Sequence, residues 1–111
     1  MDSRLRGNDG KVEEMEKKFW VYIVSNMKNG TIYIGVTSDL NRRVYEHKEK
    51  QVEGFTKEYG LGNLVWYEEH PTAESAITKE KQMKKWNRGW KIKRIVEENP
   101  DWNDLYETLN R

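Results

Sequence analysis

Two short apolar runs open the patterned part of the chain. Residues 19–25, FWVYIVS, are aromatic and β-branched, as are residues 31–36, TIYIGV, and each run predicts a strand. The polar stretch between them holds Asn29-Gly30, a strong signal for a hairpin turn. Both arms repeat one unit, an apolar residue, Tyr, Ile, then a small or apolar residue, which places Tyr22 and Tyr33 at matched points near each other. Gly35 is expected to end the second strand at a bulge or a close approach that excludes a side chain.

Helical periods follow. Ser38 or Asp39 can cap a helix through about Lys50, with Leu40 and Val44 on its apolar face. Asp39, Arg43 and His47 form an i, i+4, i+8 row on the same helix. A loop with three glycines, EGFTKEYGLGN, leads to a third strand at 63–70, NLVWYEEH. Thr72 is then the N-cap of a helix from Ala73 to about Asn87 whose apolar stripe is Ala73, Ala76, Ile77 and Met83. Position 80 falls within that stripe, yet it is a glutamate. After a break near Gly89, WKIKRIVEEN predicts a short helix with Ile92, Ile95 and Val96 inward, stopped by Asn99-Pro100. The tail is expected to fold back on Trp102 and Leu105. The order β-β-α-β-α-α predicts an α/β fold, a three-stranded antiparallel sheet flanked by helices. Residues 1–18 lack an apolar period and read as a flexible leader to a single domain over 19–111.

Composition sharpens this picture. Charged residues make up 35% of the 111 positions and aromatic ones 12%, so the core is expected to be small and built on rings. Cysteine is absent, which removes disulfides, thiolate metal sites and cysteine nucleophiles and suits a reducing, cytoplasmic setting. No apolar run approaches the roughly 20 residues that cross a bilayer, so no membrane partner is expected. The net charge of +1 conceals a segregated distribution. Residues 79–94 carry Lys79, Lys81, Lys84, Lys85, Arg88, Lys91, Lys93 and Arg94 against Glu80, a balance of +7. Residues 97–107 carry five acids and no base. A basic stripe with Trp86 and Trp90 interleaved has the character of a nucleic-acid footprint, cations for phosphates and rings for bases. A solvated helix pair with core tryptophans would give the same string.

Some chemistries are absent. There is no phosphate-cradling Gly-Lys-Ser/Thr loop, His47 and His70 are too few for a zinc cluster, and no serine has a neighbouring histidine–acid pair in sequence. Tyr22, Tyr33, Arg43, His47 and Glu80 remain. Each has an ordinary reading: strand tyrosines pack, and an Arg-His pair on a polar helix face is solvated. Glu80 is either shielded by Lys81 and Lys84, turned outward by a rotated helix, or holding a cation. As a set they suit phosphodiester hydrolysis, which develops negative charge on an anionic centre. Arg43 offers a fork matched to phosphate oxygens. Glu80 offers one carboxylate for Mg²⁺, which takes one or two carboxylates plus waters and phosphate. A tyrosine base at neutral pH would need its pKa lowered by nearby positive charge, which Arg43, a metal and the basic stripe would supply.

These residues resemble a known family. VYI, then YIG eleven positions on, then SDLNRRVYEH and a later helical glutamate are similar to the GIY-YIG endonuclease domain, in its small standalone bacterial form, over roughly Trp20 to Trp102. The resemblance implies a three-stranded antiparallel sheet with helices around it, and cleavage of DNA phosphodiesters with one Mg²⁺ or Mn²⁺ ion. It implies that Tyr22 activates the water, Tyr33 positions water or phosphate, Arg43 stabilises the phosphate, His47 assists, and Glu80 binds the metal. Val21 stands where the family's name has glycine. A further asparagine often found near the site has three candidates here, Asn87, Asn99 and Asn103. The expected partner is DNA, with RNA left open, and nothing in the sequence sets an oligomeric state. A non-catalytic nucleic-acid-binding module using the 79–94 stripe is the alternative, and a domain docking an acidic protein through its basic helix is a third reading.

Overall fold

The computed structural model describes residues 18–50 and 59–109. The expected leader, apart from Lys18, and most of the glycine loop lie outside the described residues. Strands β1 (Phe19–Ser25), β2 (Ile32–Thr37) and β3 (Asn63–His70) form one antiparallel sheet in the order β2-β1-β3. Helix α1 (Leu40–Lys48) follows β2, and α2 (Ala73–Lys85), α3 (Arg88–Glu98) and the short α4 (Tyr106–Leu109) follow β3. The expected architecture is therefore present, with α4 added from the tail.

At the hairpin tip, the Gly30 N–H donates to the Met27 carbonyl at 2.9 Å. Asn29 takes the left-handed conformation at φ 59°, which its short side chain tolerates. The β1–β2 ladder then runs without interruption past Gly35 to Thr37, so the second strand does not end there and carries no bulge. The irregularity lies instead between β1 and β3, where Ile23 opposes Trp66 but Val24 opposes Leu64.

The two-residue period of β1 divides the core. Val21 and Ile23, with Ile34 and Trp66, face Ala76 and Met83 of α2, Ile95 of α3, and Trp102. Tyr22 and Val24 face the other way, against Leu40 and Val44 of α1, Leu61 and Leu64. Fully burying each such aliphatic contributes about 1.5–3 kcal/mol, enough to seat α1 and α2 on opposite faces of three strands.

Two helix readings need correction. On α2, Ala76 and Met83 are buried as expected, but Ile77 is 42% exposed. The helix is rotated from the stripe assigned to it, so that Glu80 flanks the buried line. The break between α2 and α3 falls at Trp86, in an extended conformation, rather than near Gly89. Asn87 caps α3 by accepting from the Trp90 N–H at 2.9 Å, and Gly89 lies in the first turn. An asparagine side chain that satisfies a free helix N–H sets the start more strongly than a glycine interrupts it.

The tail folds back as expected. The buried Asn99 donates through Nδ2 to the carbonyls of Val65 and Asn103, at 3.1 and 2.8 Å, and accepts from the Asn103 N–H at 3.0 Å. Asp104 accepts from the N–H groups of Leu64 and Tyr106 at 3.1 Å each and pairs with Lys48. The tail thus crosses from the α2–α3 face, where Trp102 packs, to the α1 face, where Leu105 packs. Among the described residues no helix is long and apolar enough to cross a membrane.

Candidate active site

Tyr22 lies on the central strand and points to the α1 face. Its register partner is Gly35, while Tyr33 opposes Val24, so the two tyrosines are diagonal neighbours on one face rather than a direct pair. The Tyr22 ring crosses over Gly35: a Cβ added there would stand 2.5 Å from the phenol oxygen. Of the two features expected at Gly35, the close approach is what the fold uses.

From α1, His47 reaches the same place. Its Nε2 makes a buried hydrogen bond of 3.0 Å with the Tyr22 hydroxyl, and its ring centroid lies 5.6 Å from Tyr22 and 5.9 Å from Tyr33. The other nitrogen, Nδ1, is buried with no hydrogen-bond partner among the described residues. Burial first, then the Arg43 guanidinium, depresses the imidazole to about 4, so it is neutral at neutral pH. Val44 anchors the helix face that aims His47 inward; one turn earlier Arg43 is partly exposed, its Nε 3.5 Å from Glu46 Oε1.

Helix α2 supplies the acid. Glu80 is mostly covered, and its Oε2 accepts from Lys84 Nζ at 2.7 Å, one turn on. The same ammonium sits 5.5 Å from the Tyr33 ring centroid, a cation–π contact that brings Glu80 to the outer strand β2. The shielding reading of Glu80 thus holds for Lys84 but not for the exposed Lys81, and although the helix is rotated, Glu80 stays mostly covered rather than turned outward. Tyr33, Arg43, Glu46 and Glu80 are all near enough to act on the Tyr22 phenol electrostatically. The fold brings together the five side chains singled out in the sequence, with His47 between the tyrosines.

Arg43 and the basic stripe do not lower the Tyr22 phenol as expected. Burial, then the neighbouring Tyr33, raises it well above its ordinary value, and the lowering by Arg43 is the smaller effect. The basic stripe contributes little because its charges lie elsewhere or are engaged. Lys79 pairs with Glu68 at 3.5 Å on the other flank of α2, Arg88 donates to the carbonyls of Asn29 and Gly30 at 2.9 and 2.6 Å, and Arg94 stacks on Trp86. Lys81, Lys85 and Lys93 are exposed, Lys91 half-buried. The stripe is thus spread over several surfaces, since residues 79–94 span two helices and a break.

Two further expectations change. A serine–histidine–acid set does exist in space: His70 Nδ1 lies 3.0 Å from Ser75 Oγ and its Nε2 2.8 Å from Glu68. The Ser75 hydroxyl, however, donates to the Thr72 carbonyl at 3.1 Å as part of the α2 cap, leaving only its lone pairs toward His70. It is a capping arrangement, not an activated nucleophile. Of the three asparagines, Asn87 caps α3 and Asn99 ties the tail to β3. Lys84 shields Glu80 as the sequence suggested, whereas Glu46 was missed as a site feature, although its i, i+3 offset from Arg43 was visible.

For a divalent ion, Glu80 is the carboxylate at hand. No group of three or more metal-ligating side chains occurs among the described residues, so a cage of protein ligands is not available. A single hard oxygen donor in a cluster that also holds an arginine fits one ion that keeps most of its waters.

Comparison with known proteins places the chain among related sequences. The family model described as the GIY-YIG catalytic domain matches residues 18–95. A UPF0213 protein of Staphylococcus epidermidis is 35% identical over 83 residues, covering 75% of this chain and 99% of that protein. A UPF0213 protein of Staphylococcus saprophyticus is 32% identical over 80 residues, covering 72% and 96%. Among solved structures, the solution NMR structure of the UPF0213 protein BH0048 from Bacillus halodurans aligns with a TM-score of 0.50 and 26% identity, covering 79% of this chain and 93% of that one.

Proposed function

Because the chain belongs to the GIY-YIG catalytic domain family, we propose that it is an endonuclease hydrolysing DNA phosphodiester bonds at the cluster of Tyr22, Tyr33, Arg43, His47 and Glu80. The family is one of nucleases, and the observation that carries the reading for this chain is the convergence of Arg43, Glu80 and Tyr33 on the Tyr22–His47 pair. The cytoplasm is the setting we assign to it.

Arg43, half out in solvent, takes the scissile phosphate on its fork and meets the charge that grows there. Glu46 holds that guanidinium near the site until the phosphate arrives. The protonated Tyr22 phenol is not a ready base on its own. Its partner is neutral His47, which in the Nδ1–H tautomer accepts the Tyr22 proton at Nε2. Tyr22 Oη, its own hydrogen held toward His47, then presents a lone pair that accepts a hydrogen bond from the attacking water and orients it. The water's proton leaves to solvent as it attacks. Tyr33, on the outer strand, closes the other side and orients the water or a phosphate oxygen. Glu80 would hold one Mg²⁺ or Mn²⁺, which when bound supplies further positive charge at the phosphate.

Labelled branched, nicked and single-stranded DNA, with an RNA strand alongside, incubated with Mg²⁺ or Mn²⁺ and with EDTA, tests the proposal. Metal-dependent products are expected from wild type and none from Arg43→Ala or Glu80→Gln. Cleavage persisting in either variant would show that this site is wrongly assigned. A second reading, a non-catalytic nucleic-acid-binding module, is favoured by the Lys84–Glu80 pair, which satisfies the carboxylate without a metal. It predicts salt-sensitive binding and no products on any of these substrates.

A further inference from the structure

Beyond the tyrosine–histidine cluster, α3 carries a second cleft of about 300 Å³, lined by Trp86, Trp90, Lys93, Arg94 and Glu97. Trp90 is 61% exposed, the most exposed large apolar side chain among the described residues. A tryptophan left in water needs a reason, since its ring is the largest apolar surface a side chain can bury. Trp86 is already committed: Arg94 stacks at 5.4 Å on its ring, and Trp90 meets it edge-on with centroids 6.2 Å apart. The Trp90 face is what remains open, over a rim with two cations and one acid.

That combination selects among ligands. A cationic ligand would meet Lys93 and Arg94 and be repelled. A purely apolar protein surface would bury both charges at a cost of several kcal/mol per ion. A planar, uncharged ring joined to an anion satisfies both halves of the cleft, the ring on Trp90 and the anion at Lys93 and Arg94. A nucleobase with its phosphate has this form. Inside a duplex, bases present only their edges, so the base must be unstacked.

The cleft also lies along the chain from the catalytic cluster. Lys84, which contacts Tyr33, is two residues before Trp86, and two extended residues span at most about 7 Å between Cα atoms. Arg88 pins the start of α3 to the hairpin tip through the carbonyls of Asn29 and Gly30. We propose that the Trp86–Trp90 cleft holds an unstacked base of a single-stranded segment a few nucleotides from the phosphate being cut. The substrate of this site is then nucleic acid with an unpaired strand rather than continuous duplex, an assignment that rests on the nuclease reading.

The test is a binding measurement that needs no cleavage. Fluorescence anisotropy of a labelled oligothymidine and of a blunt duplex of equal length is measured in EDTA, with wild type, Trp90→Ala and Trp90→Phe. Loss of one base stack predicts roughly a 5- to 150-fold weaker single-strand affinity for Trp90→Ala. Duplex affinity is expected within twofold of wild type, and Trp90→Phe should retain most single-strand binding because a ring remains. Unchanged single-strand binding by Trp90→Ala, or an equal loss for both DNA forms, would overturn the proposal, as would no binding of single strands by wild type. If wild type cleaves DNA while Trp90→Ala binds as wild type does, the cleft is refuted and the nuclease stands. If Trp90-dependent binding holds and wild type cleaves nothing, the nuclease reading fails and the base-holding cleft stands alone.

Discussion

Replacing Gly35 with alanine tests the packing on which the site depends. The new Cβ would meet Tyr22 Oη, Cζ and Cε1 at 2.5, 2.7 and 2.9 Å, all closer than carbon atoms approach one another without displacement. These are atoms of a rigid ring that is 2% exposed, held by His47 at 3.0 Å and by the α1 face. Gly35 is not among the residues with positive φ, so alanine suits the backbone and the substitution isolates the contact. Overpacking costs about 1–3 kcal/mol, and a displaced ring also forfeits a buried hydrogen bond worth roughly 1 kcal/mol. The unfolded chain loses freedom with alanine, which returns about 0.4–1 kcal/mol. The expected net loss is roughly 1–3 kcal/mol, a fall in Tm of about 4–8 °C per kcal/mol for a domain of this size. Thermal or urea unfolding of Gly35→Ala, Tyr22→Leu and the double variant reads the coupling directly. With the ring gone, Gly35→Ala should cost nothing or stabilise slightly. Losses that add within about 0.5 kcal/mol would refute the claim that Gly35 is there to let Tyr22 cross β2.

His47 makes stability depend on acid. Its imidazole is depressed from 6.5 to about 4 in the fold, so the unfolded chain binds the proton first. Stability is full above about pH 6.5 and falls as pH drops toward 4, by as much as roughly 3 kcal/mol, whereas His47→Gln should flatten that part of a urea-midpoint profile against pH. Lys84→Met frees Glu80 from its ammonium, so half-saturation of cleavage by Mg²⁺ should shift to several-fold lower concentration, in a titration of initial rate. Asp104→Ala removes the acceptor for the Leu64 and Tyr106 N–H groups and the partner of Lys48, and should cost about 1–3 kcal/mol in urea unfolding. A smaller loss would mean that Asn99, Trp102 and Leu105 hold the tail without Asp104.

The elements and their order were legible because local signals agreed with one another. Alternation in FWVYIVS and TIYIGV, Asn-Gly between them, Thr72 before a helical period and Asn99-Pro100 after one each report on neighbours within a few residues. The candidate side chains were legible too, as residue types whose chemistry suits a phosphate. Their placement was not. Register, visible only once the strands pair, made Tyr22 face Gly35 and set Tyr33 diagonally from it. The rotation of α2, decided by which side chains Val21, Ile23 and Ile34 accept, turned Ile77 outward and carried Glu80 and Lys84 to Tyr33.

The electrostatics ran furthest from expectation. A string of lysines suggested a positive field that would ease a phenol toward ionisation. In the fold those charges are dispersed and several are partnered, while the sheet and α1 take the Tyr22 ring out of water, and desolvation dominates. Sequence alone determined the alphabet of this protein: three strands, the helices between and after them, and the acids, bases and rings available for chemistry. Tertiary structure decided which of them meet and how readily each holds a proton, because burial and distance between remote residues are properties of the packed chain and have no local signature.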